Sequence, residues 1–401
     1  MAMRRLLTLI YSIILLLTFV SCCKSYKTGI SPDVRIVINK GINEYIYSEG
    51  LKQLPKYYDL IIAHTSFLID KDKIEDDRLC AINVKNGKVE WYFPKNTDIH
   101  CGYSFGGTSY QYRNNIIFKY IKDDSDKKSH NLACINIDTG EILWERSEII
   151  NNYHSYADVH GWNNFVYFTE NSNKIYRFNI ETKDVSLVYT ANDAEICHFK
   201  IDNNYLLFFE DRRIILSDDY MDYYYQNEAI ILDIETGEEV FRYRIEPNMG
   251  RYIGNGIIQD GILYANVDTY ITAVDIKTGQ QLWERDDPEA YILEDLIVYN
   301  GVVLKCGGNS TYGYNAQTGE LLYKYDCFGS HYTTRNGKYA YMVTNAGWLA
   351  VIDITTGNIH KRIDCPDEMF FGSYPTFYDD NMYIMGLPNY LYCYSADKME
   401  R

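Results

Sequence analysis

Apolar positions in this chain come in short runs, each closed by a polar turn. "IIFKY", "FVYFTE" and "ILYAN" crowd Ile, Val, Tyr and Phe into five or six residues, which is the length and composition of strands rather than of helices. Two kinds of turn separate the runs. The first is a dipeptide set between two β-rich segments: Asn114-Asn115, Asn163-Asn164, Asn203-Asn204, Asp260-Gly261, Asn300-Gly301, Asn336-Gly337 and Asp380-Asn381. Such pairs write two-residue hairpin turns. The second is longer and appears twice almost letter for letter, as "INIDTGEILWER" from Ile135 and as "VDIKTGQQLWER" from Val274.

Aligned on its glycine, the second signal recurs at Gly87, Gly140, Lys183 (where Lys replaces Gly), Gly237, Gly279, Gly319 and Gly357, every 38 to 54 residues, and the chain ends within one further unit. Four residues before each stands Asn83, Asn136, Asn179, Asp233, Asp275, Asn315 or Asp353. A short oxygen-bearing side chain there accepts bonds from backbone N–H groups two and three residues on, while the glycine supplies positive φ. These residues are turn chemistry, and no catalysis is expected of them.

Each unit therefore holds four strands, A to D, with the dipeptide joining A to B and the Asx-x-x-Thr-Gly turn joining C to D. A four-stranded unit cannot bury both faces by itself, whereas a ring of such sheets covers each one with its neighbours. The expectation is an all-β, eight-bladed β-propeller of antiparallel blades, with seven blades as the alternative, because no A-to-B turn announces itself before "YDLIIAH". The last unit lacks its outer strand, and residues 33–39, "DVRIVIN", are expected to fill that place and close the ring. Trp91, Trp144, Phe241, Trp283 and Tyr323, four residues beyond the glycine position, are expected to wedge between blades.

The spacing Asp-x-x-Thr-Gly-x-x-x-Trp resembles the quinoprotein-type (PQQ-like) propeller repeats over about residues 55–397. That resemblance implies a propeller throughout. Its layout, a lipobox ahead of a propeller, is similar to that of lipid-anchored subunits of the outer-membrane β-barrel assembly machinery. The quinone enzymes of the family hold their cofactor against a disulfide of adjacent cysteines, and the one adjacent pair here, Cys22-Cys23, sits in the leader. No cofactor and no catalytic residue are therefore expected, and non-enzymatic binding is favoured.

The leader "MAMRRLLTLIYSIILLLTFVSCC" has Arg4 and Arg5, an apolar run over 6–20 and a lipobox-like "FVSC". Residues 1–21 are expected to be a lipoprotein signal peptide, Cys22 the lipidated first residue, 22–32 a linker and 33–401 the propeller. Net charge is −16 with no basic stripe, which excludes nucleic acid as a partner. Ten cysteines without CxxC spacing give no zinc site, and sequence assigns no disulfide pairs.

Binding is expected on the longer B-to-C connections, because variable segments on a rigid scaffold are where function collects. They belong to units one, two and four and carry Asp76, Asp77, Asp123, Asp124, Asp218, Asp219, Asp222, Tyr223, Tyr224 and Tyr225. Acid interleaved with Tyr suits docking of envelope proteins, periplasm-facing at the outer membrane, with contact to the membrane through the lipid alone. Glycan binding or processing at a surface lipoprotein, and a cofactor-dependent oxidoreductase, are the other readings. "DDSD" at 123–126 lacks the Gly and distal Glu of a calcium loop, so no metal is expected there.

Overall fold

The computed structural model of the protein describes residues 34–37, 51–53, 60–68, 75–83, 88–94, 101–124, 127–147, 159–170, 173–215, 223–245, 253–267, 269–286, 296–307, 310–326, 330–366, 370–372, 374–378, 381–386 and 390–395. All regular elements there are strands, grouped into eight four-stranded antiparallel sheets. Seven sheets are meanders of four consecutive strands, and we number them blades 1 to 7: 51–93, 101–146, 159–190, 195–245, 253–286, 296–326 and 330–363. The remaining sheet, blade 8, joins Thr376–Tyr378, Asn381–Gly386 and Tyr390–Ser395 to Val34–Val37 from the other end of the chain. Its register runs from Val34 opposite Cys393 to Val37 opposite Tyr390, so the closing strand expected from 33–39 is in place. Leu51–Gln53 supplies the inner strand of blade 1, which no turn signal marks in the sequence.

Every pair of successive blades encloses its own apolar cluster. Blades 1 and 2 share Trp91, Phe93, Phe118 and Tyr120, and blades 4 and 5 share Leu207, Phe209, Ile258 and Leu263. The circle closes where Cys80 and Ile82 of blade 1 pack with Tyr383, Met385, Leu391 and Cys393 of blade 8. Alternation along each strand sends successive side chains to opposite neighbours, so the middle strands are buried on both faces. In blade 7, all six residues of Tyr339–Thr344 are buried.

Six blades show in full the turn that the repeat spells. Asn136, Asn179, Asp233, Asp275, Asn315 and Asp353 each accept two backbone N–H bonds through Oδ1, from the second and third residues on, at 2.8–3.1 Å. Asn83 instead donates through Nδ2 to Glu90, and its turn lies outside the described residues. The next residue along does two further jobs. Its N–H donates to the A–B turn, as from Ile137 to Asn114 O at 3.0 Å and from Ala316 to Gly301 O at 2.8 Å, which holds both turns on one face of the ring. Its carbonyl accepts from the preceding blade: Trp91 Nε1 donates to Ile137 O at 2.6 Å, Trp283 Nε1 to Ala316 O at 2.9 Å and Tyr323 Oη to Ile354 O at 2.6 Å.

The rings that donate also lie on the glycine of the turn they reach. A Cβ on Gly319 would meet Trp283 Cδ2 at 2.6 Å, and one on Gly140 would meet Trp91 Cδ2 at the same distance. What aims them is a β-bulge just before the aromatic. In blade 5, Ala273 faces Trp283 and Val274 faces Gln281, leaving Leu282 as the extra residue; blades 2, 4 and 6 bulge likewise at Leu143, Val240 and Leu322. The bulge twists the outer strand and interrupts its edge, which hinders pairing with another chain.

Blade 3 departs from the pattern at both ends. It lacks the aromatic beyond its turn, and Tyr167 from its B strand donates to Ile234 O of blade 4 at 3.1 Å instead. In its own turn Lys183 takes the glycine place at φ +68°. The Lys183 ammonium lies 4.7 Å from the Trp144 ring centre of blade 2 and donates to Ile180 O at 2.6 Å, the carbonyl that elsewhere receives the aromatic. Burial lowers its pKa.

Two sets of substitutions test this joint. Gly261 has φ +77° and open space around it, whereas Gly319 has φ +67° and the Trp283 ring. Gly261→Ala should cost about 1 kcal/mol of backbone strain, and Gly319→Ala about 1–3 kcal/mol more through overpacking, both read by urea unfolding; equal losses would contradict the docking of Trp283. Lys183→Met should cost about 1–3 kcal/mol by stripping a partly buried carbonyl and a ring of their cation. Lys183→Gly, which relieves the φ, should cost less.

Candidate protein-docking face

On the face opposite the two turns, the B–C hairpins differ in height. In blade 4 the strands Tyr205–Ile215 and Tyr223–Asp233 stay paired over eleven residues, from Tyr205 opposite Asp233 to Ile215 opposite Tyr223. Among the described residues their flanking strands reach less far: Glu195–Asp202 pairs as far as Asp211, and Glu239–Ile245 as far as Asn227. Residues 212–215 and 223–226 therefore rise above the sheet as a two-stranded ribbon. Ile215 near its top is 48% exposed.

Blades 1 and 2 carry tall hairpins too. Leu60–Leu68 pairs with Glu75–Asn83, and Asn115–Asp124 with Lys127–Asn136. Segments expected as loops are thus largely strand: Asp76, Asp77, Asp123, Asp124, Tyr223, Tyr224 and Tyr225 all occupy ladder positions. The physical reason is local. In blade 4, "RRII" and "YYY" supply β-branched and aromatic residues at facing positions, and in blade 2 Asp123 stands opposite Lys128 and Asp124 opposite Lys127, pairings that favour the ladder. Blades 1 and 2 are neighbours, so their four aspartates share one sector; blade 3, with the short strands Phe165–Glu170 and Lys174–Asn179, separates them from the blade 4 ribbon. Asp218, Asp219, Asp222 and Cys22 lie outside the described residues.

A charged network grips the foot of the ribbon on the side facing blade 3. Glu210 and Glu228 stand opposite one another in the register and are 4% and 7% exposed. Arg242 reaches Glu210 at 3.2 Å, Glu228 at 2.7 Å and Glu239 at 2.7 Å, and it donates to the Tyr189 hydroxyl of blade 3 at 2.9 Å. Tyr189 in turn donates to Glu210 Oε1 at 2.5 Å, and Arg244 holds the other oxygen of Glu228 at 2.9 Å. Burial would raise the Glu228 pKa, yet the Arg242 and Arg244 bonds outweigh it and hold the carboxyl below its usual value. Burial, and then the bond to Glu210, push the Tyr189 hydroxyl up to about 12. Each buried carboxylate thus has an arginine partner, the condition under which buried charge is tolerated.

The side of the same foot facing blade 5 is different. Glu195, Asp211 and Asn227 form one cross-strand row, in which Asp211 Oδ1 and Asn227 Oδ1 are buried and have no hydrogen-bond partner. Burial first, and the nearby Glu195 charge second, push the Asp211 carboxyl up to about 7. Burial with Asp211 and Glu195 also pushes the Cys197 thiol up to about 12. Among the described residues no group of three His, Cys, Asp or Glu is placed to hold a metal, and Cys80, Cys134, Cys197, Cys306, Cys365 and Cys393 form no disulfide.

None of the residues at this foot stands out in the sequence. Glu210 and Asp211 close an apolar run, "YLLFFED", and their partners lie on three other strands. The readable signal was strand alternation carried past Phe209, which places Glu210 on one face and Asp211 on the other.

Ring, hairpin repeat and interblade aromatics together define a β-propeller whose repeats are similar to the PQQ-like kind. The family model described as outer membrane protein assembly factor BamB matches residues 206–334 and 267–369, in agreement with the family resemblance of the repeat. No curated protein sequence matches the chain. Among solved structures, BamB from Moraxella catarrhalis is similar at TM-score 0.59 and 15% identity, over 90% of this chain and 99% of that one. A computationally designed protein, Ika8, gives TM-score 0.60 and 14% identity over 90% and 98%. A europium-containing methanol dehydrogenase gives TM-score 0.61 and 10% identity over 89% and 85%. At these identities the likeness is one of fold.

The Asp211 carboxyl makes stability depend on pH. A folded value raised to about 7 means that the native state binds this proton more tightly than the unfolded chain does. The stabilisation is fully present below about 4 and is lost as pH rises through about 7. Asp211→Asn, which mimics the protonated form, should melt above wild type at pH 8 and lose that advantage as pH falls to 4; thermal unfolding across that range checks it.

Proposed function

We propose that the protein is a lipid-anchored envelope scaffold that docks other proteins on its B–C face, with the blade 4 ribbon as the principal contact and no catalysis of its own. The observation that carries this reading is the ribbon itself: a projection tied at its foot by Arg242 to blades 3 and 4, with exposed Ile215 and part-exposed Tyr224 above. Held in place before binding, such a projection loses little entropy on association, and Tyr and Ile supply contact area. The similarity to an outer-membrane assembly factor supports a reading in which the partners are envelope proteins. Lipidation at Cys22 would leave the stretch before Val34 as a tether of at most about 40 Å, long enough for the ring to turn toward a neighbour on the membrane.

Photo-crosslinking in intact cells tests this directly. A crosslinking residue at Ile215 or Tyr224 should capture one or a few defined envelope proteins, while the same residue at Leu282, on the outer strand near the opposite rim, should not. Capture from Leu282 alone would overturn the assignment of the face.

A further inference from the structure

The ribbon has a free edge and an unsatisfied foot on the same hairpin, and together they specify what kind of segment it takes. Along the inner edge, the A strand begins at Glu195, and the preceding residues 191–194 leave the sheet as bends. Among the described residues no strand pairs with 212–215 on that side, so those of their backbone N–H and C=O groups that point away from 223–226 can receive an added strand.

Immediately below this edge lies the row Glu195, Asp211 and Asn227. Residues opposite one another in a ladder share a face. All three therefore point the same way and offer oxygen. Asn227 is 2% exposed with Oδ1 unpartnered, and Asp211 Oδ1 is buried beside it without a donor. Arg213, two residues beyond Asp211 on the same face, does not bond these two oxygens, and Arg212 projects to the other face, where its Nη2 donates to Asn192 O at 3.0 Å. Buried acceptors without donors are costly. A metal is disfavoured by the lack of any described three-residue ligand set. What remains is a donor cation brought from outside, and a protein of net charge −16 draws basic partners.

We propose that the blade 4 ribbon accepts an extended segment of a partner protein, which adds as a strand along the open edge 212–215 and places a lysine or arginine head group on Glu195, Asp211 and Asn227. The inference rests on the docking reading above and narrows it to one mode, strand addition, and one chemistry, a basic extended peptide. Main-chain bonds supply affinity at the edge, and the cation sets the register.

The test uses the full chain and two fluorescent heptapeptides, one alternating valine with lysine and the other valine with glutamate. Anisotropy should show binding of the lysine peptide and not of the glutamate peptide, with affinity falling about 10-fold or more in Asp211→Asn, the loss expected for one charge-assisted bond. Hydrogen exchange should show the amides of 212–215 gaining protection when the lysine peptide is bound. Equal binding of both peptides, unchanged affinity in Asp211→Asn, or unprotected amides at 212–215 would each overturn the proposal; a merely non-specific attraction to the acidic surface gives the second of these. Crosslinks from Ile215 that persist in cells carrying Asp211→Asn would remove this inference and leave the docking face standing, whereas absence of those crosslinks from the wild type would remove the docking face itself.

Discussion

One residue of the repeat, the one that follows the Asx of the C–D turn, ties a blade both to itself and to the blade before it. At Ile137, Ala316 and Ile354 its N–H closes the blade's own A–B turn, and its carbonyl receives an indole or phenol from the blade before. Within-blade geometry and between-blade geometry are thus fixed at a single residue. Each such bond contributes only about 1 kcal/mol net, far less than the apolar burial between sheets. Its weight lies in direction: dispersion and hydrophobic burial tolerate sliding, while a donor seated on one carbonyl, over a glycine with no Cβ, does not. Blade 3 makes the same point by substitution: Tyr167 reaches the carbonyl of Ile234 where blade 3 lacks its own ring, and Lys183, lying against the Trp144 ring, reaches that of Ile180.

Architecture was legible in the sequence because the repeat spells its own joints. Asn136 and Gly140 announce a turn, Trp144 an interblade ring and the Asn pairs at 163–164 and 203–204 a hairpin, so local chemistry and global fold agree; at Asn114-Asn115 and Asn336-Gly337 the register moves the turn by one residue, to Arg113-Asn114 and Gly337-Lys338. The height of the hairpins was not legible as such. "EDRRIILSDDYMDYYYQNE" reads as a charged insertion when scanned for polarity, although alternate positions in it favour strand. Sequence places no limit on how far a ladder continues past the sheet that supports it; that depends on where the flanking strands stop, on the inner side at Glu195.

The candidate site was less visible still, since its members are contributed by separate strands and gain meaning only from facing one another. Glu210 and Asp211 are chain neighbours with opposite surroundings: one is matched by Arg242 and Tyr189, the other faces Glu195 with no donor. A buried network of the first kind is weak evidence for stability, because desolvation offsets much of the attraction. Holding a projecting hairpin at one angle is a use better suited to it. The second kind is tolerated at a cost, and the rest of the ring, with an apolar cluster at every seam, has stability to offset it.

The pairing of Val34–Val37 with Tyr390–Ser395 also sets a timetable for the chain. A polypeptide that emerges from a ribosome or a translocation channel in order of sequence presents this segment among the first and its partner last, so every other blade is available before the circle can be sealed. Until then the earliest β-segment and one flank of the final sheet are both unpaired, the condition under which strands seek the wrong company. A chaperone that shields those two ends, rather than the middle of the chain, would have the most to contribute to its maturation.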